Sequence, residues 1–509
     1  MFTEQRSPFR IFLSVWLLVS AVAVCWHLVP VLADYRREQQ RLADLEAVWQ
    51  HAPTPTVTVP EGSRWPHATI EMTGHSIRDL DDSRLSVPRL SFGRRGQLVA
   101  VSADVCAIAE GPEWRLKHEF FELHSTERLY HAALSGDGKV IATLGEFTRL
   151  CFRDAADGTL LQTFDEDQPL PVAELDVSHR ADRHSNGLRY SNADVRKVFA
   201  APGGCLFAVG KMDGTVELWA AEGQPLPDRP IGLVTPEWPF QPDDDSPAPR
   251  NFRRVHKLRP HEGRVEDMAF SLDCQSLLVS FGRVFDGMRE IPRQNPEMPS
   301  TLFPSYRSPG DYLILSLNVA TGEPQWQQSL RRPPSLLALD AGSQHIKGLL
   351  HPARFALLTS SDELQLRSLE DGSLLSRFSV KATNARADIQ AMSFDPTDSI
   401  LLTVDRQYGS GGNRNAVTFI NAFEVHDGSL IASAELPGQV MHAAWSPFGH
   451  QLAMQLFSDK QNRPASPPGF ATPFTSRRPL SPFRLHVWDV RVQLQSGNRP
   501  NANPPAEAE

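Results

Sequence analysis

One short phrase recurs along the chain: an apolar run, a tight polar turn and a second apolar run. It reads LSFGRRGQLVAVS from residue 90, ALSGDGKVIATL from 133 and FAAPGGCLFAVG from 199. It returns as AFSLDCQSLLVS from 269, SFDPTDSILLTV from 393 and AWSPFGHQLAMQ from 444, with a degraded copy, LLHPARFALLTS, from 349. Alternating or continuous apolar runs of this length predict half-buried and fully buried β-strands. Gly, Asp and Pro between them supply the turn. The turns centre near Gly96, Gly138, Gly204, Cys274, Ala353, Asp398 and Gly449, with spacings of 42, 66, 70, 79, 45 and 51 residues. The shortest spacings match a four-stranded repeat of about 40–45 residues.

A second phrase follows several copies: strand, turn with Gly, strand. It reads FRDAADGTLLQTF from 152, LNVATGEPQWQQSL from 317, LRSLEDGSLLSRF from 366 and FEVHDGSLIASAEL from 423. Asp157-Gly158, Asp371-Gly372 and Asp427-Gly428 hold one place in the repeat, so these aspartates are predicted as hairpin-turn residues.

Two segments then carry a resemblance. DGTVELW at 213–219 and RLHVWDV at 484–490 resemble the third-strand ending of WD-repeat β-propellers, and His261-Glu262-Gly263 followed by RVEDMAFS resembles the opening of such a repeat. The chain is similar to that general pattern, which implies an all-β, seven-bladed β-propeller over residues 67–495. The repeats are degenerate: only Trp488-Asp489 keeps the Trp-Asp pair, and most repeats lack the Gly-His opening. The resemblance therefore implies that the regular His–Ser/Thr–Asp–Trp network is largely missing. A six- or eight-bladed ring and a quinoprotein-like propeller stay open at this stage. Residues 67–85 are expected to supply the strand that closes the ring against the last repeat.

The N-terminal pattern differs. After a tail at 1–10, residues 11–33 contain no Asp, Glu, Lys or Arg. As a helix they span about 35 Å, enough for a hydrocarbon core of about 30 Å. This predicts a single transmembrane helix; the alternative is a secretory signal sequence with a cleavage site near Ala33. Residues 34–50 predict a juxtamembrane helix, with Leu42, Leu45 and Trp49 forming an apolar stripe suited to a partner helix. Residues 51–66 read as a Pro/Thr-rich spacer. Arg6 and Arg10 flank one side of the apolar segment and Arg36, Arg37 and Arg41 the other, so charge bias sets orientation weakly. A single-pass membrane protein with an extracytoplasmic, periplasmic propeller is the expectation.

Three Pro-rich insertions break the repeat, at 222–260, 283–310 and 461–483. The last carries Phe470, Phe474 and Phe483, which with Leu42, Leu45 and Trp49 are the candidate partner contacts. Residues 496–509 read as a disordered tail.

The whole chain of 509 residues is 41% hydrophobic, enough for a large core, and its net charge of −9 gives no electrostatic footprint for nucleic acid. Of five cysteines, Cys25 lies in the apolar segment and Cys106, Cys151, Cys205 and Cys274 form no CxxC pair, so buried free thiols are expected rather than a zinc site. Gly409 to Gly412 lacks the Lys and following helix of a phosphate loop. His179, Asp182 and His184 match no metal-ligand spacing, and Asp243, Asp244 and Asp245 lack the alternation of a Ca²⁺ loop. No catalytic residue, cofactor or metal is assigned. The expected function is a membrane-anchored protein-interaction scaffold or accessory subunit with protein partners. The alternative is a propeller enzyme or ligand binder, a quinoprotein-like oxidoreductase or hydrolase, with its site at the ring centre.

Overall fold

The computed structural model describes Arg36 and residues 53–61, 63–77, 89–93, 96–102, 105–111, 114–121, 129–145, 150–165, 168–170, 195–224, 226, 247–271, 273–291, 301–307, 312–339, 354–359, 363–380, 387–395, 399–407, 417–446, 450–457 and 483–494. Residues 53–509 form one compact unit. Its described strands make seven antiparallel sheets of four or five strands, the blades of a propeller, and one separate two-stranded sheet. The first is Arg89–Phe92, Leu98–Ser102, Val105–Glu110 and Arg115–Phe121. The second is Leu129–Leu134, Val140–Gly145, Leu150–Asp154 and Leu160–Asp165, with Gln168–Leu170 added outside. The third is Val195–Ala200, Leu206–Lys211, Val216–Ala221 and Phe252–Leu258, and the fourth Val265–Phe270, Ser276–Phe281, Tyr312–Asn318 and Pro324–Leu330. The fifth is Pro334–Leu339, Arg354–Thr359, Glu363–Ser368 and Leu374–Ser379. The sixth is Ala387–Phe394, Ile400–Gln407, Val417–Glu424 and Leu430–Pro437; the seventh is Gln439–Trp445, Gln451–Phe457 and Phe483–Gln493, completed by Thr69–Ser76.

The recurring phrases are the turns of these blades. The first phrase joins the innermost strand to the second. Gly96, Gly138, Gly204 and Cys274 there all adopt left-handed backbone, with φ of 74°, 72°, 64° and 60°. Cys274 does so without glycine's freedom, at a cost in backbone strain. A side chain at the end of the inner strand ties the turn: the amides of Val140, Ser276 and Gln451 donate to Ser135, Ser271 and Ser446 Oγ at 3.0, 2.9 and 3.1 Å. The amide of Ile400 donates to Asp395 Oδ1 at 2.8 Å in the same place.

The second phrase joins the third strand to the outer one. The Gly158, Gly322, Gly372 and Gly428 amides donate to the carbonyls of Asp154, Asn318, Ser368 and Glu424 at 2.8–3.0 Å. Asp157, Asp371 and Asp427 each accept the backbone N–H two residues on, from Thr159, Ser373 and Ser429. These aspartates therefore hold turns. Hydrogen bonds hold two of them below the usual carboxylate range: Asp371 through the backbone N–H and hydroxyl of Ser373, and Asp427 through the hydroxyl and backbone N–H of Ser429.

Most blades bury both faces. In the third, Val216, Leu218 and Ala220 pack with Val279 and Leu315 of the fourth blade, while Trp219 and Ala221 pack with Val140 and Phe152 of the second. That is why LFAVGK and VELWAA are buried at every position and read as continuous rather than alternating runs. Each fully buried Leu or Phe contributes about 1.5–3 kcal/mol. Phe252 stacks on Phe152 with centroids 3.9 Å apart, sealing the seam between these blades.

The ring closes where expected. Thr69–Ser76 pairs with residues 486–493 over eight consecutive positions. Loop-closure cost rises by only about 0.6 kcal/mol per doubling of loop length, so joining the two ends of so long a ring is thermodynamically mild.

Four expectations need correction. The inner strand of the fifth blade is Pro334–Leu339, upstream of the copy from 349, and it pairs with Arg354–Thr359; residues 349–353 of that copy lie outside the described residues. The spacer at 51–66 is not free: Thr56, Val57 and Thr58 pair with Glu435, Ala434 and Ser433 as a fifth strand of the sixth blade. Its β-branched residues suit an edge strand. Trp65 Nε1 donates to Glu424 Oε2 at 3.3 Å and Arg64 pairs with Glu424 at 3.4 Å, fastening it further. The insertion at 222–260 ends before Phe252, where the outer strand of the third blade begins, and within 283–310 Val284–Ile291 pairs with Thr301–Arg307 as a β-hairpin. Flanking prolines masked both sets of strands in the pattern.

No helix among the described residues is long and apolar enough to cross a membrane. The segments 11–33 and 34–50, with Leu42, Leu45 and Trp49, lie outside the described residues except for Arg36, which is helical and exposed. The tail at 496–509 and most of 461–483, with Phe470 and Phe474, also lie outside them.

Candidate functional site

The first strands of the seven blades lie innermost and line a central channel with a cavity volume of ≈ 440 Å³. In blades two to seven a register shift interrupts pairing near the start of this strand. Each shift inserts one extra residue, a bulge that re-aims the following side chain. The residues that follow are His131, Lys197, Asp267, Leu336, Ala391 and His442, and all six line the channel. One device, repeated, thus sets which side chains face the axis.

The charged side chains among the described lining residues are Lys197 and Asp267, and they hold each other. Lys197 Nζ lies 2.9 Å from Asp267 Oδ1, and the Leu337 amide donates to Asp267 Oδ2 at 2.9 Å. Asp267, in the fourth blade, therefore ties the inner strands of the third and fifth blades together. Lys197 also lies 5.8 Å from the Phe199 ring centroid, and the His131 ring 5.9 Å from it. Paired acid–base catalysis needs two carboxylates or an acid and a base with separate roles. The described lining offers one carboxylate, engaged in a salt bridge and an amide bond, and the imidazoles of His131 and His442.

The two segments that resemble WD repeats are built differently from each other. In the third blade Trp219 Nε1 donates to Glu217 Oε2 at 3.2 Å. Glu217 also receives Lys211 Nζ at 2.8 Å and Arg254 Nη1 at 3.3 Å, and the Arg254 guanidinium lies 5.9 Å from the Trp219 ring centroid. In the seventh blade Trp488 is fully buried and its indole N–H has no partner among the described residues; the His486 ring lies 5.3 Å away. His261 serves its own loop, its Nδ1 accepting the Gly263 amide at 2.8 Å. Gly214 has φ of 84°, and a Cβ there would collide with the His261 carbonyl, so only glycine lets this turn meet that loop. The Glu217 cluster was not foreseen. Its one visible signal is Glu217 standing two residues before Trp219, on the same strand face.

Cys106, Cys151, Cys205 and Cys274 are all buried, and none of them forms a disulfide among the described residues. The Cys205 thiol donates to Asp137 Oδ2 at 3.0 Å; burial first, and Asp137 second, push its pKa far up, which makes it a poor nucleophile. No group of three or more His, Cys, Asp or Glu placed to hold a metal ion occurs among the described residues. His179, Asp182, His184, Asp243 to Asp245 and Gly409 to Gly412 lie outside them. Phe483, a candidate contact, begins the third strand of the seventh blade opposite Phe457.

No family model matches the chain, and no curated protein matches it. Among solved structures it is similar to the β-propeller domain of Cps50 (Swd1) from Myceliophteria thermophila, at 10% identity, covering 82% of this chain and 100% of that one, with a TM-score of 0.48. It is also similar to a chain of the mitotic checkpoint complex, at 10% identity, covering 86% of this chain and 92% of that one, with a TM-score of 0.46. The seven-bladed ring itself rests on the strand pairing described above.

Proposed function

We propose that this chain is a membrane-anchored interaction scaffold or accessory subunit whose propeller binds protein partners. The observation that carries this reading is the channel, where Asp267 is held by Lys197 and the Leu337 amide, so its chemistry is that of a structural tie. The apolar segment 11–33 supports the anchor, with the propeller on the extracytoplasmic, periplasmic side. Thr56–Thr58 and the Trp65–Glu424 bond fasten the following segment to the ring. Leu42, Leu45 and Trp49 on the juxtamembrane segment, and Phe470, Phe474 and Phe483 of the insertion at 461–483, are the proposed contacts.

The test is co-purification of the tagged, full-length chain in mild detergent, followed by mass spectrometry. A set of membrane partners at fixed stoichiometry is the expected result. Recovery of the chain alone, or of a tightly bound cofactor with turnover, would overturn the reading. Leu42→Asp with Leu45→Asp should release the partners while the propeller stays folded.

A further inference from the structure

We infer that the outer strand of the third blade, Phe252–Leu258, is a docking edge that takes an acidic, extended segment of a partner protein as an added β-strand. This rests on the scaffold reading and gives it a partner chemistry.

Three observations converge. First, the strand ends its sheet: it pairs with Val216–Ala221 on one side and with no described strand on the other. The outer strands of the second and sixth blades are instead covered, by Gln168–Leu170 and Thr56–Thr58. The latter shows that this propeller accepts an added antiparallel strand at a blade edge. Second, charge concentrates here. Arg250, Arg253, Arg254, Lys257, Arg259 and Arg264 fall within RNFRRVHKLRPHEGR, against Glu262 alone, in a chain of net charge −9. Arg250, Arg253, Lys257 and Arg259 are exposed. Third, the cations flank the edge on both sides. Lys257 stands opposite Glu217 on the face toward the second blade, where Arg254 is already held by Glu217, and Arg253 stands opposite Ala220 on the face toward the fourth.

An added strand alternates its side chains between the two faces. Acidic residues at either phase would therefore meet a cation, as cross-strand pairs of opposite charge do. The same charges repel a second copy of this strand, a known guard against edge-to-edge pairing. They thus discriminate: like strands are refused and acidic ones admitted. Nucleic acid and anionic lipid would use the cations but not the strand's backbone N–H and C=O groups.

The experiment uses the full-length chain and a fluorescein-labelled, end-blocked peptide of alternating Glu and Val, followed by fluorescence anisotropy. Two controls carry Gln for Glu, or N-methyl groups on alternate backbone nitrogens, which abolish strand pairing. Saturable binding should fall roughly tenfold or more with Arg253→Glu plus Lys257→Glu, and should weaken from about 50 to about 300 mM salt. Each control peptide should bind roughly tenfold less well. The neutral pair Arg253→Gln and Lys257→Gln gives an intermediate loss if the charge reversal disturbs folding. Equal binding of the N-methylated peptide, or tighter binding of single-stranded DNA or anionic vesicles, would overturn the proposal. So would an edge-guard result: no peptide binding, with the Gln variants self-associating. A stable partner set on co-purification together with no peptide binding would remove the docking edge and leave the scaffold standing.

Discussion

The third and seventh blades carry the same signature on the third strand, yet they solve the burial of its tryptophan in opposite ways. Trp219 sits two residues after Glu217, which binds its indole N–H and gathers Lys211 and Arg254. Trp488 sits two residues after His486 and packs against that ring, its N–H unanswered among the described residues. An unsatisfied buried donor costs about 1–3 kcal/mol. The seventh blade carries that cost at the seam where Thr69–Ser76 joins from the far end of the chain. The third blade is continuous in sequence through its second and third strands and can hold a buried ionic cluster. Degenerate repeats thus keep the tryptophan's volume and let its polar partner vary.

The comparison breaks most sharply at Glu217. Replacement by Leu leaves the Lys211 ammonium, with a side chain only 7% exposed, without its carboxylate. Removing one partner of a buried pair costs about 3–5 kcal/mol. The midpoint of urea unfolding should fall accordingly at unchanged slope. A loss below about 1 kcal/mol would show that the ionic cluster does not hold Trp219. Next come the tryptophans themselves. Trp219→Phe removes a hydrogen bond to a charged group and should cost about 2 kcal/mol or more. Trp488→Phe removes a donor that is unanswered among the described residues and some volume, and should cost about half as much. Equal losses would mean that volume alone decides, and the contrast between the blades would vanish.

Much of this was legible in the chain. The turn glycines repeat because each blade needs left-handed backbone at one place, and Cys274 kept the phase when the glycine did not. The hairpin aspartates were readable because Asp371 and Asp427 recur with Gly and Ser in fixed order. What stayed hidden depends on partners distant in sequence. Lys197 and Asp267 are 70 residues apart and meet only because bulges aim both at the axis. The fifth strand at Thr56–Thr58 looked like a spacer because its partner, Leu430–Pro437, lies at the other end of the chain. The strand Phe252–Leu258 was lost among prolines and arginines.

The third blade also carries a thiol the seventh lacks, and it gives the pair different pH behaviour. Cys205 is buried, and its thiol pKa is raised above its ordinary value of 9.0. The unfolded chain loses this proton as pH passes that value, while the folded chain keeps it. Its contribution to stability is therefore fully present below about pH 8 and is lost as pH rises through 9.0, at a slope approaching about 1.4 kcal/mol per pH unit above that value. Cys205→Ala should flatten that slope between about pH 8.5 and 10 in urea titrations. An unchanged slope would assign it to other groups.

The smallest effect is expected at the residue the sequence pattern marks most strongly. Asp489 completes the one preserved Trp-Asp pair. Here its Oδ1 accepts Gln451 Nε2 at 3.3 Å, and the residue is partly exposed. Asp489→Asn keeps an acceptor oxygen in the same place and removes only a charge that water already screens. The loss should stay below about 0.5 kcal/mol, the usual range for a surface substitution. A loss above about 1.5 kcal/mol would mean that Asp489 carries a buried charge network after all, and the seventh blade would then resemble the third more than its geometry indicates. A small loss, set beside the large one at Glu217, would show that the third blade holds its tryptophan through a carboxylate two residues before it, while the carboxylate directly after Trp488 holds little.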